Sequence, residues 1–147
     1  MGVIHECFVV DNQEDNDIKD MIVSRGPDLN ERKQLLMDNG DAIIVLPGGV
    51  GTFDELWDAV LSKSLGMKNL SHKPICILNV DGFYDGTILQ LKRAHDDGLL
   101  YNHADTYFHL VDSAADAVQY CQDAIVAQKN ARNEAVADGD RFHTKTN

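Results

Sequence analysis

Apolar positions along the chain fall into two textures. Short continuous runs rich in β-branched residues occur at Gly2-Val3-Ile4, Asp20-Met21-Ile22-Val23-Ser24, Ala42-Ile43-Ile44-Val45-Leu46, residues 74–80 and residues 106–111. Runs of that length and composition predict strands of a parallel sheet, buried on both faces. Between them the apolar residues take helical spacing. Leu29, Arg32, Leu35 and Leu36 fall on neighbouring turns of a helix predicted from an Asp28 N-cap to Asp38, with Gly40 as its C-terminal cap. Phe53, Leu56, Trp57, Val60 and Leu61 predict a second helix from about Thr52 to Leu65, closing at Gly66, with Trp57 in the core. Ile88, Leu91 and Leu99 form the expected inward face of a third, over residues 84–97, and a fourth is predicted over residues 113–128. Strands alternating with helices predict an α/β fold, a Rossmann-like doubly wound parallel sheet.

Three segments stand outside that rhythm. Cys7-Phe8-Val9-Val10 is a further candidate strand, and residues 11–20, polar and acidic, read as an exposed loop. From Lys129 onward no apolar periodicity remains, so residues 129–147 are expected to be a polar, fraying tail after a single domain spanning residues 1–128.

Composition narrows the function classes. A chain of 147 residues, 44% hydrophobic and 25% charged, is ordinary for one soluble domain with a real core. Its net charge of −11 argues against a nucleic-acid polymer or an anionic membrane as partner, since both select a basic face. A small phosphate ester remains compatible, because a single site can be positive on an acidic protein. Cys7, Cys76 and Cys121 are odd in number and form no Cys-x-x-Cys pair, which predicts free thiols in a reducing, cytoplasmic compartment. No signal peptide or membrane-length apolar span is visible. The six histidines (His5, His72, His95, His103, His109, His143) show no metal-ligand spacing. His5-Glu6-Cys7 has a ligand-like composition, but neighbouring strand positions point to opposite faces, so no metal is expected there.

The chemistry concentrates in Pro47-Gly48-Gly49-Val50-Gly51-Thr52-Phe53-Asp54-Glu55, between a predicted strand and a predicted helix. Glycines at 48, 49 and 51 let the backbone approach an anion without a Cβ in the way. The N–H groups at the helix start, with the helix dipole behind them, suit a phosphate. Thr52 can cap the helix or donate its hydroxyl to a phosphate oxygen, and Glu55, three residues on, has capping-box spacing. A tight turn with a well-capped helix is therefore the structural alternative to an anion site. The Walker lysine is absent after Gly51, which disfavours ATP hydrolysis, and no serine sits in a nucleophile elbow.

The nine-residue string resembles the PGGxGTxxE signature of the LONELY GUY (LOG) family, whose members cleave cytokinin riboside 5′-monophosphates and often carry the older label "possible lysine decarboxylase". The family's upstream Asp-Met-His-x-Arg-Lys block corresponds here to Asp28-Leu29-Asn30-Glu31-Arg32-Lys33, with Arg32 lying 23 positions before Glu55. Similarity continues through Leu65-Gly66, Lys73-Pro74, Leu78-Asn79-Val80-Asp81-Gly82-Phe83-Tyr84 and Asp97-Gly98-Leu99, so it covers residues 20–112. Asn30 stands where the family usually has His, and Leu61-Ser62-Lys63-Ser64 replaces a Thr-Trp-x-Gln stretch, so base preference does not carry over. In relatives a βαβ region with its own glycine-rich turn precedes the Gly-Val-Ile segment, so the expected sheet is N-terminally shortened.

The resemblance implies Glu55 and Arg32 as catalytic residues, and Lys33, Gly48, Gly49, Val50, Gly51 and Thr52 as substrate-binding residues. It further implies a nucleoside 5′-monophosphate substrate, no cofactor and a homodimer. Cleavage of an N-glycosidic bond develops positive charge on the sugar, which a carboxylate beside the ribose can stabilise. Arg32 offers a planar fork of donors for phosphate or for orienting Glu55. A non-catalytic nucleotide- or phosphate-binding protein of the same fold remains the alternative. A true lysine decarboxylase needs a pyridoxal-phosphate Schiff-base lysine, and no sequence context here singles one out.

Overall fold

A computed structural model describes residues 2–9, 20–67 and 70–143. The chain forms two compact units, Met1–Asp41 and Ala42–Asn147.

In the first unit, β1 (Gly2–His5) and β2 (Met21–Ser24) pair in parallel, with Gly2 opposite Met21 and His5 opposite Ser24. The buried Ser24 hydroxyl donates to the Ile4 carbonyl at 3.4 Å. The predicted second apolar run is not a strand. β1 stops at His5 and residues Glu6–Phe8 make a 3₁₀ turn; Val10 and the predicted acidic loop over 11–19 lie outside the described residues. Helix α1 (Asn30–Asn39) follows β2, and Met37 is its buried residue. Asp28, predicted as N-cap, sits one residue too early, because Leu29 occupies the cap position. Its carboxylate still serves the helix start, accepting from the Asn30 backbone N–H at 2.9 Å and the Asn30 side-chain amide at 2.7 Å. Glu31 accepts from the backbone N–H groups of Arg25 and Gly26 at 2.8 and 2.7 Å, clamping the β2–α1 loop.

The second unit alternates β3 (Ile43–Val45), α2 (Val50–Ser64), β4 (Ile75–Leu78), α3 (Asp85–Asp96), β5 (His109–Val111) and α4 (Ala114–His143). Its strands are parallel in the order β3-β4-β5. Parallel strands alternating with helices give the α/β, Rossmann-like architecture expected from the sequence. All four residues of the central strand β4 are buried, as a strand covered on both faces requires. β3 lies at the sheet's edge, and there Ile44 and Leu46 are exposed rather than buried. Ala117 and Cys121 of α4 pack on Cys76 of β4, with Ala42, Val111 and Tyr120 around them.

Glycine ends two helices in the same way. Gly66 (φ +67°) and Gly98 (φ +74°) take left-handed backbone, and the next residues, Met67 and Leu99, donate back to the Ser62 and Ala94 carbonyls. Both are Schellman caps. The turn at Gly98 carries Leu99 out of the α3 periodicity, so Leu99 is 76% exposed instead of facing inward; Leu91 is buried as predicted. The helix expected to stop at Gln128 continues to His143. Residues 129–138 lack Gly and Pro and include Ala131, Ala135 and Ala137, so helix propensity sustains what apolar periodicity does not mark. The Gln128 side chain donates to the His72 carbonyl.

Candidate active site

The glycine-rich string connects β3 to α2, as its position between an apolar run and a helical pattern predicts. The helix begins two residues earlier than expected, at Val50, with Gly49 in the N-cap position and no side chain capping it. Thr52 is thus the third helical residue and Glu55 the sixth. The capping-box arrangement is overturned: Thr52 is no N-cap, and Glu55 lies beyond the first turn. Glu55 is half-buried, while Gly49, Val50 and Gly51 are exposed.

The glycines differ in role. A Cβ at Gly48 would lie 2.2 Å from Thr52 Oγ1 and 2.9 Å from Thr52 Cβ, so the turn closes on its own helix only if residue 48 has no side chain. Around Gly49 and Gly51 a Cβ would meet nothing within 4 Å. Both positions therefore face open space beside the exposed Val50. Such a surface offers N–H donors and the positive end of a dipole to an anion.

A second turn supports this one from behind. After β4 the chain passes through Asn79 and a 3₁₀ turn over Val80–Gly82, where Asp81 (φ 51°) and Gly82 (φ 73°) both take left-handed backbone. The Asn79 side chain accepts from the Tyr84 N–H at 2.7 Å and donates to Asp85 at 2.9 Å. This seats Tyr84, which is fully buried, so that its hydroxyl donates to the Leu46 carbonyl at 2.7 Å, just before Pro47. Burial pushes the Tyr84 phenol up, which keeps that donor protonated. Phe53, in the first turns of α2, stacks on Phe83 at 6.5 Å and meets Tyr84 edge-on at 6.1 Å. Tyr84, Asn79 and the two phenylalanines are positioning residues that periodicity did not single out. The signal for them was the Asn79-Val80-Asp81-Gly82 turn string directly after a buried strand.

Of the predicted site residues, Gly48, Gly49, Val50, Gly51, Thr52 and Glu55 come together on this one strand–turn–helix. Arg32 and Lys33 are the third and fourth residues of α1, in the first unit, and both are half-buried. The amide of Asn30 is held by Asp28. Trp57, predicted in the core, is 39% exposed. His5-Glu6-Cys7, expected to alternate between the faces of a strand, turns instead through a 3₁₀ helix, and Cys7 Sγ lies 3.0 Å from His5 Nδ1. Among the described residues, no group of three or more His, Cys, Asp or Glu side chains is placed to hold a metal ion.

A parallel α/β unit with a glycine-rich turn leading into a helix with glycine at its N-cap places the chain in the Rossmann-like class of folds. The particular family follows from comparison: residues 1–121 match the profile of the family described as "Possible lysine decarboxylase", and the chain belongs to that family. It is similar to the cytokinin riboside 5'-monophosphate phosphoribohydrolase of Mycobacterium tuberculosis (strain ATCC 25618 / H37Rv), 38% identical over 121 residues, or 82% of this chain and 62% of that protein. Its similarity to the enzyme of that name from Mycobacterium marinum (strain ATCC BAA-535 / M) is 36% over 121 residues, with the same coverage of 82% and 62%. A cytokinin riboside 5'-monophosphate phosphoribohydrolase of Arabidopsis thaliana is 37% identical over 94 residues, 64% of this chain and 41% of that protein. The chain thus spans 62% of the length of the mycobacterial relatives it matches.

Proposed function

We propose that the protein hydrolyses the N-glycosidic bond of a nucleoside 5′-monophosphate, a cytokinin riboside monophosphate or an AMP-like nucleotide, giving free base and ribose 5-phosphate. The observation that carries this reading is the start of α2, where the N-cap residue is Gly49, which has no side chain, and a Cβ at Gly49 or Gly51 would meet nothing within 4 Å. The 5′-phosphate sits on the backbone from Gly48 to Thr52, which brings the ribose to the following turn. Glu55, one turn further along α2, then stabilises the charge developing on the sugar and holds the attacking water. Arg32 and Lys33 supply cationic donors to the same substrate. The names of the relatives support the substrate class. The reaction as written needs no cofactor, and free Cys7, Cys76 and Cys121 suit a reducing, cytoplasmic setting. No described helix is long and apolar enough to cross a membrane. A homodimer is the proposed assembly.

The test is direct. Purified protein is incubated with AMP and with a cytokinin riboside monophosphate, and released base is separated and quantified. Release of base with matching ribose 5-phosphate is the expected result. Saturable nucleotide binding without any base release would replace this reading with a binding protein of the same fold.

A further inference from the structure

At the end of β1, residues outside the proposed glycosidic site form a complete nucleophile–base–orienter set. Cys7 is an exposed free thiol. Its sulfur lies 3.0 Å from Nδ1 of His5, a side chain that is 8% exposed. The tautomer of that imidazole follows from its partners. The Cys7 backbone N–H, which can only donate, points at Nδ1 at 3.2 Å. Nδ1 is therefore an acceptor, and the proton sits on Nε2, which donates to the Gly26 carbonyl at 2.9 Å. Phe8 meets the His5 ring edge-on at 6.5 Å and completes its packing. Glu31 holds the chain just before that carbonyl, accepting from the Arg25 and Gly26 N–H groups. The ring is thus held from both nitrogens, and the single Nδ1 lone pair is shared between the Cys7 backbone N–H and the Cys7 thiol.

We propose that Cys7 is a nucleophilic modification site for soft carbon electrophiles, with His5 as its general base and the Gly26 carbonyl as the group that orients His5. The thiol proton passes to Nδ1, which gives up its hydrogen bond from the Cys7 backbone N–H, as the sulfur–carbon bond forms and the carbon–leaving-group bond breaks. The leaving group departs as an anion, and the imidazolium returns its proton to water. General-base help of this kind requires a base within hydrogen-bond reach and a third group holding it, and both distances are met here. Cys76 and Cys121, buried in the β4–α4 core, share neither the exposure nor the base and serve as internal controls. This inference stands apart from the glycosidic reading, since it uses none of the residues assigned to that reaction.

Iodoacetamide is the probe, with labelling of each cysteine followed by peptide mass spectrometry, at neutral pH, in native buffer and in concentrated urea. Native Cys7 is expected to alkylate about tenfold faster than the same residue in urea. Cys76 and Cys121 are expected to behave oppositely, reacting only once unfolded. His5→Gln retains an amide donor for the Gly26 carbonyl but has no basic nitrogen, and it should remove most of the native advantage of Cys7. A native Cys7 rate no greater than its rate in urea overturns the proposal, and this comparison needs no variant. An unchanged Cys7 rate in a folded His5→Gln protein overturns the assignment of His5 as the base.

Discussion

At the residue scale the proposed reaction rests on Glu55, the sixth residue of α2 and so beyond the first turn of the helix. Glu55→Gln keeps volume and hydrogen bonding while removing the charge. Base release should then fall by ~100-fold or more, the size of effect seen when an electrostatic stabiliser is lost, while the melting temperature stays close to that of the unchanged protein. A drop of less than about threefold would remove Glu55 from the chemistry. Arg32→Ala addresses the phosphate. If the guanidinium holds it, calorimetry should show nucleoside monophosphates weakened far more than the matching nucleosides. Equal weakening of both would move Arg32 to the ribose. What was legible was the family, because a nine-residue string and its spacing from Arg32 are specific. The start of α2 was not, since Thr52 and Glu55 satisfy capping-box spacing whether the helix starts at Val50 or at Gly51 and beyond. Only the backbone decides where the first turn begins.

At the scale of elements, the β3–α2 turn predicts opposite outcomes for adjacent glycines. Gly48→Ala forces a Cβ to within 2.9 Å of Thr52 Cβ, a contact that rotation of the threonine cannot relieve. It should lower the melting temperature clearly. A Cβ at Gly49 meets no protein atom within 4 Å, so Gly49→Val should lower the melting temperature only by the modest cost of a poorer N-cap while nucleotide affinity collapses, because the side chain fills the room above the helix N-terminus. Binding retained in Gly49→Val would place the anion elsewhere. The β4–α4 packing makes a different prediction. Burial, with Cys121 beside it, pushes the Cys76 thiol up to about 11, and the Cys121 thiol and Tyr120 phenol are also pushed up by burial. The folded chain therefore keeps the Cys76 proton while the unfolded chain begins to release it at about pH 8.5. This contribution to stability is complete below that pH and is lost as the pH climbs toward about 11. Urea midpoints measured across that range should fall, and Cys76→Ala should flatten the fall; an equally steep fall in the variant would exclude this thiol as a source. Strand and helix order was legible from the apolar runs, and helix ends were legible wherever glycine takes left-handed backbone. The far half of α4 was not, because its helicity rests on propensity rather than on an apolar face.

At the scale of the whole molecule, the open question is what covers the outer face of α2. Trp57, Leu61 and the cap residue Leu65 are 39%, 56% and 66% exposed at spacings of four residues, and Val50, seven residues before Trp57, is 87% exposed. Residues so spaced share one stripe of a helix. An exposed apolar stripe of this kind, interrupted here only by Asp54, suits an interaction surface. A second copy of the chain is the occupant we favour, since an isologous contact needs only one self-complementary stripe, and the family resemblance implies the same assembly. The net charge of −11 opposes it through mutual repulsion. Raising salt shortens the range of that repulsion and leaves the apolar term in place. Sedimentation should therefore show a dimer at micromolar protein and physiological salt, shifting toward monomer as salt is removed. Leu61→Glu, on an exposed position that should not disturb the core, is expected to give a folded monomer at every salt concentration. A well-folded monomer of the unchanged chain at physiological salt would leave the α2 stripe without a second copy upon it.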